Sequence, residues 1–374
     1  MRALAVGLTV TLLAAACGGG SGGSPSAGSG SPGISGSPSG SAGASASGAS
    51  PSQSGSPTPG EGEFVNPVVR RDFPDPQVLE VEGVYYAYAT GSGNNIELAR
   101  SEDLVTWEDL RDPLPEIPIW STGNTWAPEV ARIGDQFVMY YTLRAYELKN
   151  PFGDGTQCLS YAVSDTPEGP FEDPNQEPFV CQPDLGGSID GTYFLDEDGS
   201  QYLIWKNDGN CCGIPTRFYL QQLSEDGTQL VGDVTDLGVA NDAAWERPVN
   251  SRIEAPTLWL HEGTYYLFFS GSAHDTIHYA VGYATAQQVR GPYTDAPENP
   301  ILATTLTDAR ELGLAGPGHQ SIIADKDGDL WMTYHAWDSR FIGGSGRFMW
   351  IDELVFEDGK PVVKGPDPGP QAIP

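Results

Sequence analysis

The chain has 374 residues and carries 50 acidic against 19 basic side chains, a formal net charge of −31. Nucleic acid is excluded as a partner by that balance, because phosphate binding needs the opposite sign, whereas a neutral substrate is compatible with it. Solubility accounts for most of these carboxylates.

The first elements in chain order are a leader and a tether. In MRALAVGLTVTLLAAAC one basic residue, Arg2, precedes an apolar run from Ala3 to Ala16 that is too short to span a bilayer but suits the core of a signal peptide, residues 1–16. The expectation is export. Ala14-Ala15-Ala16-Cys17 followed by glycines resembles a bacterial lipoprotein signal with Cys17 as the lipidated residue, although Ala14 stands where leucine is usual and Leu13 lies one step back. Release after Ala16 by an ordinary secretory signal is the alternative. Residues 17–62 are almost wholly Gly, Ser, Pro and Ala, a composition expected to stay disordered. Such a spacer favours the anchor. It would hold residues 63–374 outside the cell, on the outer face of the cytoplasmic membrane, with no membrane contact except the lipid.

Next comes a motif that returns five times: PQVLEVEGVYYAYAT at 76, PEVARIGDQFVMYYT at 128, GTYFLDEDGSQYLIWK at 191, PTLWLHEGTYYLFFSG at 256 and QSIIADKDGDLWMTYHAW at 320. Each is a short apolar strand, a turn built on glycine, and a second strand rich in aromatic and β-branched residues, so each predicts a hairpin. Between them lie shorter strand-like pieces such as IELARSEDLVTWEDL and HYAVGYATAQQVRGPY, which supply an outer hairpin. Two hairpins per unit give a four-stranded antiparallel blade, and five units predict an all-β, five-bladed β-propeller. A β-sandwich of this length would leave the regular repetition unexplained.

Setting Cys17 aside leaves Cys158, Cys181, Cys211 and Cys212, an even number in an exported domain, which favours disulfides. Cys158 and Cys181 flank one loop and are the natural pair. Cys211 and Cys212 would then form a bridge between neighbours or stay reduced.

In a propeller the first strand of every blade lines the central channel. Aligning the copies on Gly83, Gly199 and Gly328 brings Asp75, Asp190 and His319 to one level, with Glu254 one residue away. Asp75, between Pro74 and Pro76, is expected on a stiff, extended peg pointing into that mouth. Trp126 takes the place in its copy that Glu254 takes in RIEAPTLW, where its ring could stack on a sugar or simply pack. Glu129 falls too far along its strand to join the acids and is read as structural, Asp72 as an exposed loop acid, Trp120 as a candidate pocket wall. Crowded carboxylates split their pKa values, which lets one site hold an acid and a base and suits hydrolysis of a glycosidic bond. The five histidines lack a nucleophile-elbow context, and no HExxH, Rossmann or P-loop pattern occurs.

FPDPQV, SIDGTYF, RIEAPTLW and GHQSI, in this order on a five-repeat chain, resemble glycoside hydrolase family 43, propeller enzymes acting on arabinose- or xylose-containing plant cell-wall polysaccharides. The resemblance covers about Asn66 to Val363. It implies an inverting mechanism with Asp75 as general base, Glu254 as general acid, and Asp190 raising the acid's pKa and orienting it. The flanks of Glu254, Ile253 and Ala255-Pro256, agree with a protonated acid, and inversion calls for carboxyl groups about 6.5–9.5 Å apart. The resemblance further implies that Arg347 contacts the sugar, the alternative being an ion pair with Asp352 or Glu353. It also implies that His319 meets a structural calcium ion through its water shell, the alternative being a hydrogen-bonded core histidine. No cofactor is required. The substrate expected is a neutral oligo- or polysaccharide, cleaved by an α-L-arabinofuranosidase or β-xylosidase activity. An endo-1,5-α-L-arabinanase and a non-catalytic sugar-binding propeller are the alternatives.

Overall fold

The computed structural model describes residues 59–374 except 250 and 345. The leader, Cys17 and nearly all of the tether therefore lie outside the described residues. Twenty-one strands follow in chain order. The first blade holds β2 (Gln77–Val81), β3 (Val84–Thr90), β4 (Ile96–Ser101) and β5 (Glu108–Asp109), after a short β1 (Glu63–Val65). The second holds β6 (Trp126–Ile133), β7 (Gln136–Lys149) and β8 (Gly155–Ser164); the third β9 (Ser188–Leu195), β10 (Gln201–Asn207), β11 (Arg217–Leu223) and β12 (Leu230–Ala240). The fourth holds β13 (Ile253–His261), β14 (Thr264–Gly271), β15 (Ala280–Ala286) and β16 (Thr294–Asp295). The fifth holds β17 (Leu314–Ala324), β18 (Leu330–Asp338), β19 (Arg347–Glu357) and β20 (Lys360–Val363), with β21 (Pro370–Ala372) at the end. Each blade is an antiparallel sheet in sequence order, and the predicted five-bladed propeller is the fold found. One blade is lighter than expected: the second has three strands, its outer edge reduced to a bridge between Val163 and Glu172.

The innermost hairpins turn on Gly83, Gly134, Gly199, Gly263 and Gly328, all at positive φ. An added Cβ would meet nothing within 4 Å at any of them, so glycine is used there for its backbone freedom and not for space. One helix, α1 (Leu306–Leu312), occurs among the described residues; Thr305 and Asp308 cap its start and Gly313, at φ 76°, stops it. No helix among them is long and apolar enough to cross a membrane.

The strands β2, β6, β9, β13 and β17 touch in a closed ring. No apolar core fills its centre. The core consists instead of five wedges between neighbouring blades, such as Tyr88, Leu98, Met139 and Tyr141 between the first and second, and Val78, Ala87, Met349 and Ile351 between the fifth and first. Each buried large side chain contributes about 1.5–3 kcal/mol, which is how a ring with a polar channel stays closed. Trp120 belongs to the first of these wedges, so it is core and not a pocket wall. Both chain ends share the closing blade: β1 pairs with β21, Val68 and Val69 donate to the carbonyl of Met349, and the Asn66 side chain bonds both N–H and C=O of Ile351.

Cys158 is bonded to Cys181, as expected from their flanking positions. The open question about Cys211 and Cys212 is answered too: they are bonded to each other.

Candidate active site

The inner strands are not straight. Asp75, Ala127, Asp190, Ala255 and His319, one in each blade, all sit at positive φ between 42° and 57°. L-residues rarely adopt this conformation, which is worth roughly 1–3 kcal/mol of strain unless the surroundings hold it. Asp75 is thus not the extended peg that Pro76 predicts: its backbone is turned the other way, and the turn is what aims the side chain at the axis.

The surroundings do hold it. Strand register puts Thr142, Lys206, Ser270 and His335 on the second strands opposite Trp126, Ile189, Glu254 and Gly318, the residue just before each kink, and Thr90 takes the same place in the first blade, where its N–H donates to the Pro74 carbonyl. In four of the five, Asp190 excepted, the kinked residue's N–H is received by a side chain of the preceding blade; Thr142 Oγ1, the hydroxyl in the corresponding place, makes no hydrogen bond. Thr90 accepts from Ala127 at 2.8 Å, Ser270 from His319 at 2.8 Å and His335 Nδ1 from Asp75 at 3.1 Å, while Asp190 Oδ2 accepts from Ala255 at 3.0 Å. Lys206 departs from the pattern. Its ammonium, fully buried, reaches across to Glu254 Oε2 at 3.3 Å.

Above this ring opens a cavity of about 460 Å³ lined by Asp75, Asp190, Glu254, Trp126, His319 and Arg347, among others. The structure thus brings all six predicted site residues together. The three acids are only 5–8% exposed. Arg347 Nη1 lies 2.9 Å from Asp75 Oδ1, which rules out the predicted alternative of a pair with Asp352 or Glu353, and His319 Nδ1 lies 3.2 Å from the same oxygen. Thr90 donates to the other oxygen. Burial alone would raise the Asp75 carboxyl, but Arg347, His319 and His335 outweigh it and hold it well below the ordinary range. Asp72 is no idle loop acid: its Oδ1 accepts the backbone N–H of Arg347 at 2.8 Å and so fixes the arginine that pairs with Asp75.

Glu254 overturns one expectation. Its apolar neighbours in sequence predict a protonated acid, yet the groups that face it in space are Lys206 and Asn210, both on Oε2. Burial pushes its carboxyl up, and Lys206 first, then His274, Arg252 and His319, bring it down to about 2. Asp190 goes the other way, raised by burial and by the Glu254 charge over the pull of His319 and Lys206. The two carboxyls of the pair are thus pushed in opposite directions, Asp190 up and Glu254 down. Asp208, also in the wall, is raised to about 6 by burial, Asp190 and Glu254. Sequence reading missed Lys206, Asn210 and His335. His335 is fully buried and pushed down to about 3 by that burial; it stacks on Tyr279 with centroids 5.6 Å apart.

Below the mouth the channel narrows among Gln77, Glu129, Thr192, Thr257 and Ser321. Glu129, read as structural, stays apart from the catalytic level there, its carboxyl raised by burial to about 8. Among the described residues no three His, Cys, Asp or Glu side chains gather as metal ligands, so the site does not fit an ion bound directly by protein.

Four carboxyls, Glu129, Asp208, Glu246 and Asp352, are raised by burial to about 8, 6, 7 and 7. A carboxyl raised on folding binds its proton more tightly in the folded state. Stability therefore falls as pH climbs from the unfolded values, 3.8 for Asp and 4.5 for Glu, through these folded ones. The lowered groups, Asp75 and Glu254 above all, act oppositely and only at the acid end. The melting temperature should peak in mild acid and be several degrees lower at pH 8 than at pH 5, and Asp352→Asn should flatten that fall. A melting temperature that climbs toward pH 8 in scanning fluorimetry would contradict this.

Residues 64–361 match the family model of glycosyl hydrolases family 43. The chain belongs to that family. Among curated proteins it is 27% identical over 308 residues to the beta-D-galactofuranosidase xynD of Aspergillus niger, covering 78% of this chain and 82% of that one. It is 26% identical over 330 residues to a beta-xylosidase of Bacillus subtilis, covering 81% of this chain but only 57% of that protein. A crystal structure of a thermostable family-43 glycoside hydrolase superposes with a TM-score of 0.74 at 33% identity, covering 83% of this chain and 99% of that one. This family-43 protein is a glycoside hydrolase.

Proposed function

We propose that the protein is an inverting glycosidase releasing arabinofuranosyl or xylosyl units from plant cell-wall oligo- or polysaccharides. The observation that carries it is the arrangement of charge in one cavity: Asp75, clamped by Arg347 and held low, shares it with Glu254, which Lys206 holds low, and Asp190, which burial raises. A sugar seated with its anomeric carbon between them is attacked by a water whose proton passes to Asp75. The leaving oxygen takes the pair's proton through Glu254, the member that Lys206 and Asn210 aim. Glu254 must carry a proton when the sugar is bound, and Asp190, raised by burial and by the Glu254 charge, is the carboxyl in the same cavity that can share one with it. Arg347, Trp126 and His319 are assigned to hold the ring.

The sugar assignment rests on chemistry shared by the named relatives. β-D-Galactofuranose has the ring configuration of α-L-arabinofuranose with one carbon added, and xylose is the other pentose of these polymers. No cofactor is needed in this reading, and His319 would meet calcium only through water. Chelation is expected to leave turnover unchanged. We also propose that the chain is exported and held at the outer face of the cytoplasmic membrane through lipidated Cys17, supported by its leader and tether; Cys17→Ser should release it to the medium.

The deciding experiment follows hydrolysis of 4-nitrophenyl α-L-arabinofuranoside, β-D-xyloside and β-D-galactofuranoside, with the first-formed anomer read by proton NMR. Inverted product from one of these supports the proposal. Retained product, or no turnover of these or of arabinan, would overturn it, the latter in favour of a binding role.

A further inference from the structure

Lys206 and Asn210 reach the same oxygen of Glu254, and Lys206 Nζ also donates to Asn210 Oδ1 at 3.2 Å. Lys206 is fixed by the strand β10. Asn210 is not on a strand: it lies in the single 3-10 turn Gly209–Cys211 that leaves β10. So short a turn places a side chain accurately only if something holds the turn.

Its inner side is held by contact. A Cβ on Gly186 would lie 2.1 Å from the Asp208 carbonyl oxygen and 3.0 Å from Cys211 Sγ, and one on Gly209 would lie 2.1 Å from the Ile214 carbonyl oxygen. Asp208 donates to Gly187 at 3.0 Å, and Cys212 and Ile214 both donate to Gly209 at 3.1 Å. The outer side of the turn faces the cavity, where Cys211 is exposed and forms part of the wall. There the bond between Cys211 and Cys212 closes a small ring through their shared peptide and removes backbone freedom from both residues.

We propose that the Cys211–Cys212 disulfide is a positioning element for the leaving-group carboxyl, locking the turn so that Asn210 donates to Glu254 and receives Lys206. This rests on the assignment of Glu254 as the acid. A donor already in place need not be ordered during the reaction, and a hydrogen bond to a charged group is stronger than one between neutral groups. Lys206, Asp190, Asp208, Arg252, His274 and His319 also face Glu254 electrostatically; Asp208 opens the turn and Lys206 donates to Asn210, so Asn210→Ala is the reference that isolates the lost donor.

The test compares the oxidised protein, the same protein after mild phosphine reduction, Cys211→Ser/Cys212→Ser, and Asn210→Ala. Mass spectrometry of an alkylated aliquot confirms that Cys158–Cys181, whose Cys158 is fully buried, stays bonded. The readout is the carbon-13 carboxyl signal of Glu254, identified by its loss in Glu254→Gln. Losing a donor disfavours the ionised form, so that signal should titrate at higher pH in all three altered proteins, while kcat falls about tenfold and KM changes much less. An Asn210→Ala shift without a shift on reduction would overturn the proposal, and so would no shift in Asn210→Ala. If the paired serine variant does not fold, reduction of the folded protein decides alone. Should no glycoside be turned over, the functional reading fails, and the carboxyl titration still decides the positioning role.

Discussion

Asp75→Asn and Glu254→Gln are each expected to lower turnover of a natural oligosaccharide by about a thousandfold, and to part company on activated substrates. An amide at 75 cannot take the proton of the attacking water, so the loss should be the same whatever leaves. An amide at 254 cannot deliver a proton, which matters only when the leaving oxygen needs one. On a 2,4-dinitrophenyl glycoside, whose phenolate departs unaided, Glu254→Gln should regain most of its rate while Asp75→Asn does not. Steady-state kinetics on the two leaving groups settle the assignment. Equal losses on both substrates for both variants would remove the division of roles, and reversed behaviour would exchange them.

Lys206→Met should produce the largest electrostatic change in the protein. The ammonium is the main pull holding Glu254 low, and it is fully buried beside it. Without it, burial still raises the carboxyl, so its pKa climbs. Below that new value Glu254 is neutral and the variant is little destabilised; above it a lone charge is buried, and the loss should grow toward about 3 kcal/mol. The variant should therefore lose stability as pH rises, more steeply than the native protein. The alkaline limb of kcat/KM should move to higher pH, because the Asp190–Glu254 pair keeps its proton longer. Identical pH profiles of melting and turnover would show that the lysine does not govern the pair.

Much of this was legible in the five repeats. Their turn glycines fix the register of the first strands, so Asp75, Asp190 and His319 fall at one level and Glu254 one residue off, and the structure gives each its place beside a kink. Register along one strand is a local property, which is why sequence carries it. Lys206 was legible too, though unread: the second strands carry Thr90, Thr142, Lys206, Ser270 and His335 at corresponding positions, and a lysine among small or neutral residues marks the blade next to the acid. What the repeats do not carry is the environment of Glu254. Its sequence neighbours are apolar, but backbone neighbours of a strand residue point elsewhere, and the charge that does most to reset its pKa, Lys206, comes from β10, with His274, Arg252 and His319 adding to it. Asn210 had no repeat counterpart to betray it. The conformation of Asp75 was misjudged for a related reason, since proline's local preference is overridden by a hydrogen bond from Thr90 on the neighbouring strand and by one to His335 that exists only once the ring closes.

Most of the side-chain bonds between blades at this level run the same way around the axis, the bond from Gln320 Nε2 to the Ala255 carbonyl being in the reverse sense. Thr90 serves the second blade, Asp190 and Lys206 the fourth, Ser270 the fifth and His335 the first. The bonds of Gln77 to Val130, Thr192 to Pro256 and Thr257 to Gln320 repeat that sense lower in the channel. The propeller thus has a cyclic polarity that its near-identical sheets conceal. An injury at a second-strand terminus is inherited by the successor blade while the predecessor is spared, so the acid depends on the integrity of the third blade and the base on that of the fifth.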